Sequence, residues 1–310
     1  MGALGWSVAG VLVALLLLRA VHLDERSALL LAASTGLPVV LALAWPLLLV
    51  AAVTGRLTLA VVAALLALVD AALLGPLLTA GRGPGPGGMP VRLLHLNVQY
   101  DVDAGASVAT QVGRSEADVV VLTELSALSL RHLRLPQYAH AAVHERDDGF
   151  GGGIWSRWPL DDVTPVTLTG RTNLRADVVL PGGARLRVHQ VHLCSPMSRA
   201  DRRRWVAQHA ELAAAMSAHP GPQVVAGDFN SARSDRAFAA LLGGPAGVAD
   251  AADGRGLLPT WPSGWHVVPP VLRLDHVLVS RDVGVRSVRV LGHAGPDHRA
   301  VVADLVVAGS

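Results

Sequence analysis

The chain has 310 residues, 51% of them hydrophobic and only 16% charged, with a mean hydropathy of +0.43. That is too apolar for an ordinary soluble enzyme of this length and points to membrane segments. All 26 basic residues are arginine against 24 acids, a formal charge of +2, which excludes a large polyanion magnet while leaving room for a local basic groove.

The apolar excess lies in residues 1–80. Three runs, 4–21, 28–53 and 57–80, each reach the length needed to cross the hydrocarbon core. Short polar turns separate them, so the segment reads as an anchor of three transmembrane helices, with Pro38 and Pro46 tolerated inside the second. No basic stretch precedes the first run, and two further spans follow it, so a cleavable signal peptide does not fit. Asp70, inside the third run, is expected to make an interhelical hydrogen bond or to sit near the interface. Arg19, Arg26, Arg56 and Arg82 flank the runs, and their count slightly favours a cytoplasmic C-terminal domain. Residues 81–88, GRGPGPGG, read as a flexible linker.

From residue 89 the pattern changes to strand-like runs of six to nine residues, among them VRLLHLNV, ADVVVLTEL, ARLRVHQVHL, PQVVAGDFN and RLDHVLVS. Helical spacing fits 105–117 and 199–218. Many strands with a few helices between them predict an α+β domain of packed sheets over 89–310.

Polar residues recur where these strands end. Asn97 closes the first and Glu124 the second, His192 closes a middle one, and Asp228 and Asn230 close VVAGDFN. Asp275 opens LDHVLV, and Asp297 and His298 precede the last strand. Strand ends at one rim of a rigid scaffold are where catalytic groups gather. Asn97, Glu124 and Asp297 offer only oxygen ligands, which suit Mg²⁺ or Mn²⁺. His298, oriented by Asp275, is placed to take a proton from water. Asp228 is placed to align or deprotonate that water, and Asn230 and His192 to bond phosphoryl oxygens. The set fits metal-assisted hydrolysis of a phosphate ester with no covalent nucleophile. In VVAGDFN, Gly227 is expected to allow a turn and Phe229 to point into the core.

The ordered motifs LHLNV, LTEL, GGGIWSRWP, HQVHL, VVAGDFN, RLDHVLVS and PDHRAVVADL resemble the endonuclease/exonuclease/phosphatase superfamily over residues 91–306. The resemblance implies a four-layer α/β sandwich, two sheets packed together with helices outside. It also implies a metal site at Asn97, Glu124 and Asp297 and a phosphate-contacting His192. The same likeness gives Asp228 and Asn230 to water and phosphate, and makes Asp275 and His298 the catalytic pair. Pro296, Val191 and Gln99 depart from common family choices without removing a catalytic type. The similarity extends to membrane-anchored bacterial members, which implies a multi-pass protein of the bacterial cell membrane with an extracytoplasmic catalytic domain. Partners expected on this reading are the bilayer, through residues 1–80, and a phosphate-ester substrate: nucleic acid, nucleotide or phospholipid. A catalytically silent, membrane-tethered binding protein on the same fold is the alternative.

Other features have simpler readings. His189 and His192 fall on opposite strand faces and do not share a metal, so His189 is surface or packing. Cys194 is a packed residue, the glycines at 149–153 form a hairpin turn, and Arg202, Arg203 and Arg204 make a solvated basic face. Arg175 is a strand-borne arginine within reach of the rim.

Overall fold

The computed structural model describes residues 2–23, 26–79, 81–83, 85, 87–265 and 267–308. Its N-terminal third is helical. Helices α1 (Gly2–Ala20) and α5 (Leu57–Leu78) are each long and apolar enough to cross a membrane. The second apolar run does not form one helix. It breaks into α2 (Ala28–Thr35), α3 (Leu37–Leu41) and α4 (Ala44–Val53), with a bend of 67° after Thr35. Gly36 separates α2 from α3, and Pro38, in the first turn of α3, cannot continue the helical hydrogen bonding of α2. The expected three spans are thus two, or three when the bent pair counts as one. Asp70 is buried in α5 and accepts a hydrogen bond from Trp45 Nε1 of α4 at 2.9 Å, an interhelical bond of the expected kind.

These helices dock on the strand-rich remainder of the chain. A helix C-terminus leaves carbonyls without partners, and at α5 two of them, Pro76 and Leu77, accept from the backbone N–H groups of Gly254 and Gly256. Arg19 bonds the Ser34 hydroxyl and the Ser234 carbonyl, and Thr35 Oγ1 donates to Asp235 at 3.0 Å. Within 81–83, Arg82 bonds the Val279 and Ser280 carbonyls and the Gly83 carbonyl accepts from Val285 N.

That remainder is a sandwich of two six-stranded sheets. One sheet holds β1 (Met89–Asn97), β2 (Val119–Thr123), β3 (His140–His144) and β4 (Gly152–Ser156), joined from the chain's end by β11 (Val283–Val290) and β12 (Val301–Val307). Its order is β11-β12-β1-β2-β4-β3. The other holds β5 (Leu160–Leu168), β6 (Arg171–Val179), β7 (Arg185–His192), β8 (Gln223–Asp228), β9 (Ala249–Asp250) and β10 (Asp275–Val279). Its order is β5-β6-β7-β8-β10-β9. Helices α6 (Gly105–Ser115) and α7 (Ala127–Leu130) lie on the first sheet's outer face. The outer face of the second carries α8 (Arg199–Ser217) and α9 (Arg236–Leu242). This is the four-layer sandwich that the sequence implied.

Period-two alternation explains both the core and the rim. Along β1, Val91 and Leu93 face the other sheet while Leu94 and Leu96 face α6. Along β8, Val224 and Ala226 face inward and Val225 outward to α8. Continued one step further, the inward rows reach His95 and Asn97 on β1, Asp228 on β8, and His192 on β7. The strands β3 and β5 were not visible as periodic runs. Both are edge strands, which bury less apolar surface, and β5 accommodates Pro165 because an edge strand has N–H groups with no ladder partner.

Gly227 has a different role from the expected turn. It lies within β8, paired in parallel register with Val191, and a Cβ there would stand 1.8 Å from the Val191 carbonyl oxygen. It is the close approach of β7 and β8 that requires glycine. Phe229, as expected, is fully buried among Trp205, Phe238 and Val225. Gly227→Ala is expected to cost about 1–3 kcal/mol or more by overpacking, read as a lowered Tm of the full chain in detergent; an unchanged Tm would contradict this packing.

Candidate active site

Asn97 stands at the rim end of β1, fully buried, and its side-chain amide is the hub of the site. Nδ2 donates to Glu124 Oε1 at 2.8 Å and to Asp228 Oδ2 at 3.1 Å, while Oδ1 accepts from Gln99 N at 3.0 Å. One donor thus draws two carboxylates together. Glu124 is held from the other side by Tyr100 N at 3.2 Å. Asp228 Oδ1 accepts from Asn230 N at 2.8 Å, a local turn of the kind Asp favours two residues before an N–H. The turn chemistry and the site chemistry of GDFN are therefore the same geometry. Gln99, Glu124 and Asn230 all adopt left-handed backbone, with φ of 56°, 60° and 47°. Such conformations cost energy in non-glycine residues and gather where the surroundings enforce a functional geometry.

His192 approaches the same two carboxylates. Its Nε2 lies 3.7 Å from Glu124 and 3.8 Å from Asp228, while Nδ1 faces the Gly149 carbonyl at 2.9 Å. A carbonyl only accepts, so Nδ1 carries a proton and Nε2 is turned to the site. Phe150 stacks on the His192 ring at 5.3 Å, and the Arg171 guanidinium covers Phe150. The loop between β3 and β4 that holds these glycines therefore does more than turn the chain: it fixes His192.

The third part is the expected pair. His298 Nδ1 meets Asp275 Oδ2 at 2.7 Å, and its Nε2 lies 3.8 Å from Asp228. Burial alone would raise the Asp275 carboxyl, but His298 and His95 beside it hold it well below the usual carboxylate range. Burial likewise disfavours the imidazolium of His298. The charges of Asp275, Asp228 and Asp297 outweigh that and push it up to about 10. His95 was not picked out from the sequence. Its Nε2 bonds Asp275 Oδ1 at 2.9 Å and its Nδ1 the Val121 carbonyl at 3.1 Å, so Asp275 is clamped between two imidazoles. The signal was present: His95 and Asn97 are two apart on one strand and must share a face.

Seven of the eight residues singled out from the sequence are thus brought together. Asp297 belongs to neither of the two groups of converging ligand atoms at the rim, although its charge acts on His298. Its carboxylate faces Trp261 Nε1 at 3.4 Å, and its backbone N–H donates to Gln99 Oε1 at 2.9 Å. Among the described residues two groups could hold a cation, Glu124 with His192 and Asp228, and Asp228 with Asp275 and His298, ligand atoms lying within 4.8 Å in each. Carboxylate oxygens outnumber nitrogen in both groups, each with a single imidazole, a donor set that can hold a divalent ion.

Elsewhere the outcomes are plain. Arg175 pairs with Asp162 at 2.8 Å, away from the rim. His189 is buried on the opposite face of β7 from His192, and burial lowers its imidazole to about 4, which suits a packed neutral ring. Cys194 is buried, and burial raises its thiol, which disfavours a nucleophilic role.

A raised imidazole pKa stabilises the fold fully below the unfolded value of about 6.5. That contribution fades as pH climbs towards about 10. Metal-free wild type is expected to exceed His298→Gln in Tm by a margin that is full below about pH 6.5 and gone near about pH 10. A margin that holds or grows over that window would contradict the pairing.

With this geometry in view, comparison with known proteins is informative. A family model described as the endonuclease/exonuclease/phosphatase family matches residues 94–310. No curated protein matches the chain. Among solved structures, a humanised D. rerio TDP2 carrying 14 mutations is similar at TM-score 0.60 and 21% identity, covering 70% of this chain and 98% of that one. An endonuclease/exonuclease/phosphatase from Bacteroides vulgatus is similar at TM-score 0.60 and 18% identity, over 71% and 99%. The Bacteroides thetaiotaomicron mannosyl-6-phosphatase Bt3783 is similar at 0.59 and 16%, over 70% and 99%. The structural likenesses carry the fold, and the family model, spanning the sandwich and its rim, carries the membership: this chain belongs to the endonuclease/exonuclease/phosphatase family.

Proposed function

We propose that the chain is a divalent-cation-dependent phosphoric-ester hydrolase, residues 89–310, held at a membrane by residues 1–80 through the segment 81–88. The observation that carries this reading is the single Asn97 amide drawing Glu124 and Asp228 together beside the Asp275–His298 pair. Two carboxylates so placed repel each other, and a site that keeps both is built for positive charge. Glu124 and Asp228, positioned by Asn97, would hold Mg²⁺ or Mn²⁺, with Asp297 at the outer edge as a further oxygen donor. Such an ion, when bound, supplies charge to the phosphoryl and leaving oxygens.

The chain's own residues do the rest. A water oxygen bonds to phosphorus as the ester P–O bond breaks, and the leaving oxygen takes a proton from solvent water to depart as the alcohol. Asp228 orients this water and takes its proton. His298, held as an imidazolium by its carboxylate neighbours, donates from Nε2 to a phosphoryl oxygen. The sequence suggested His298 as the proton acceptor; the charge around it favours the donor role. The Asn230 amide binds one remaining oxygen, and His192 binds another as an imidazolium, with Nδ1–H on the Gly149 carbonyl and Nε2–H on the phosphate. Asn230 is itself anchored by Nδ2 to the Leu193 carbonyl at 3.0 Å.

Turnover of bis-p-nitrophenyl phosphate, DNA and sphingomyelin with Mg²⁺ or with EDTA tests the reading. At least one is expected to be hydrolysed only with metal. Asp228→Ala and His298→Ala are expected to lower kcat by about 10²–10⁴ on that substrate. Absence of metal-dependent turnover on all three, with both variants indistinguishable from wild type, would leave the silent binding protein as the better account.

A further inference from the structure

A cavity of about 330 Å³ lies between the membrane helices and the sandwich. That volume falls in the range of small-molecule sites, about 300–1,000 Å³, which are mostly apolar with a few placed polar groups. One wall is Pro38 and Val39 of α3 with Leu73, Leu74 and Leu77 of α5. The facing wall comes from two segments that also build the rim: Ala232 to Ser234, just after Asn230, and both ends of the segment 257–273, just before Asp275.

That second segment runs from the cavity to the site. Its ends, Leu257, Pro259 and Val271, line the cavity. Its tip touches Asp297: Ser263 N donates to the Asp297 carbonyl at 2.7 Å, and Trp261 Nε1 faces the carboxylate. Thr260 Oγ1 between them accepts from Leu274 N at 3.2 Å. Along the way apolar side chains stand in solvent. Trp265, packed edge-on to Trp261, is 55% exposed and Val267 is 91% exposed.

We infer that the substrate is a membrane-resident phosphate ester whose hydrocarbon chain lies in this cavity, with the segment 257–273 leading from chain to phosphate. The inference rests on the hydrolase reading above. The hydrocarbon packs against α3 and α5, and the phosphate reaches Asp228 and His298. Charge supports the choice over nucleic acid. Residues 89–310 carry 22 arginines against 21 acids, whereas a long nucleic acid calls for many cationic contacts.

The test uses the full chain in nanodiscs with Mg²⁺ and two substrate series, p-nitrophenyl alkyl phosphodiesters and alkyl phosphate monoesters, with ethyl, hexyl and dodecyl chains. Water attack releases p-nitrophenol in the first and inorganic phosphate in the second. In the series that turns over, kcat/KM is expected to be at least about tenfold higher for hexyl than for ethyl, since each methylene moved into an apolar site adds to binding. Leu74→Trp and Val39→Trp, which fill the cavity, are expected to abolish that chain preference while leaving turnover of bis-p-nitrophenyl phosphate within about twofold, because neither side chain belongs to the rim. Partitioning of the longer esters into the nanodisc lipid is common to wild type and variants, so it cannot produce the loss of chain preference on filling the cavity. Chain-independent turnover in wild type overturns the inference and leaves the hydrolase reading intact. So does a chain preference that survives both fillings, or faster turnover of single-stranded DNA than of any alkyl ester. Loss of turnover on every phosphate ester overturns the hydrolase reading itself.

Discussion

The site depends on Asp275, a carboxylate with no solvent exposure, placed where the two sheets meet. It belongs to β10 of one sheet, and one of its oxygens is bonded by His95 from β1 of the other. The second oxygen is bonded by His298, in the loop between β11 and β12. A buried charge without partners costs several kcal/mol, so this carboxylate is tolerable only because both imidazoles reach it. The same bonds tie sheet to sheet and aim His298 Nε2 at Asp228. Packing and chemistry therefore rest on one residue, and the loop carrying Pro296 to Arg299 is fixed by a charge it does not itself contain.

Around that clamp the rim is assembled by alternation. The strands β1, β7 and β8 spend their inward positions chiefly on Val, Leu and Ala, then end on a polar residue with the same parity. Two sheets packed face to face bring those polar ends to one edge of the interlayer space. This is why groups as far apart in the chain as Asn97 and His298 come within reach of one carboxylate, Asp228. It also explains the strained backbone at Glu124 and Asn230: they lie one residue past β2 and two past β8, where the chain must turn at once.

Much of this was legible in the sequence, and the omissions have physical causes. Asn97, Glu124, His192, Asp228, Asn230, Asp275 and His298 sit at strand ends, where a polar residue breaks an apolar run and is easily noticed. His95 escaped because it lies inside LHLN, two places short of the end, and a single histidine in a strand looks like packing. Gly227 was misassigned because a glycine before Asp suggests a turn; its cause, the Val191 carbonyl 1.8 Å from any Cβ, is a contact between strands that spacing along the chain does not encode. The bend in the second apolar run has the opposite character. Gly36 and Pro38 were in plain view, but length and hydropathy alone cannot tell a span from a broken pair. The docking of the helices on the sandwich, through Arg19, Thr35 and the end of α5, joins segments far apart in the chain and had no local signature.

In the proposed reaction water attacks phosphorus directly, with no covalent intermediate on a carboxylate or imidazole of the rim or on the buried Cys194 thiol. The stereochemistry of turnover at a chiral, isotopically labelled phosphate diester tests this most directly. A single in-line displacement with Mg²⁺ present predicts inversion at phosphorus, with solvent oxygen-18 in the phosphate product and none in the alcohol. Retention of configuration, or oxygen-18 in the alcohol, would contradict it.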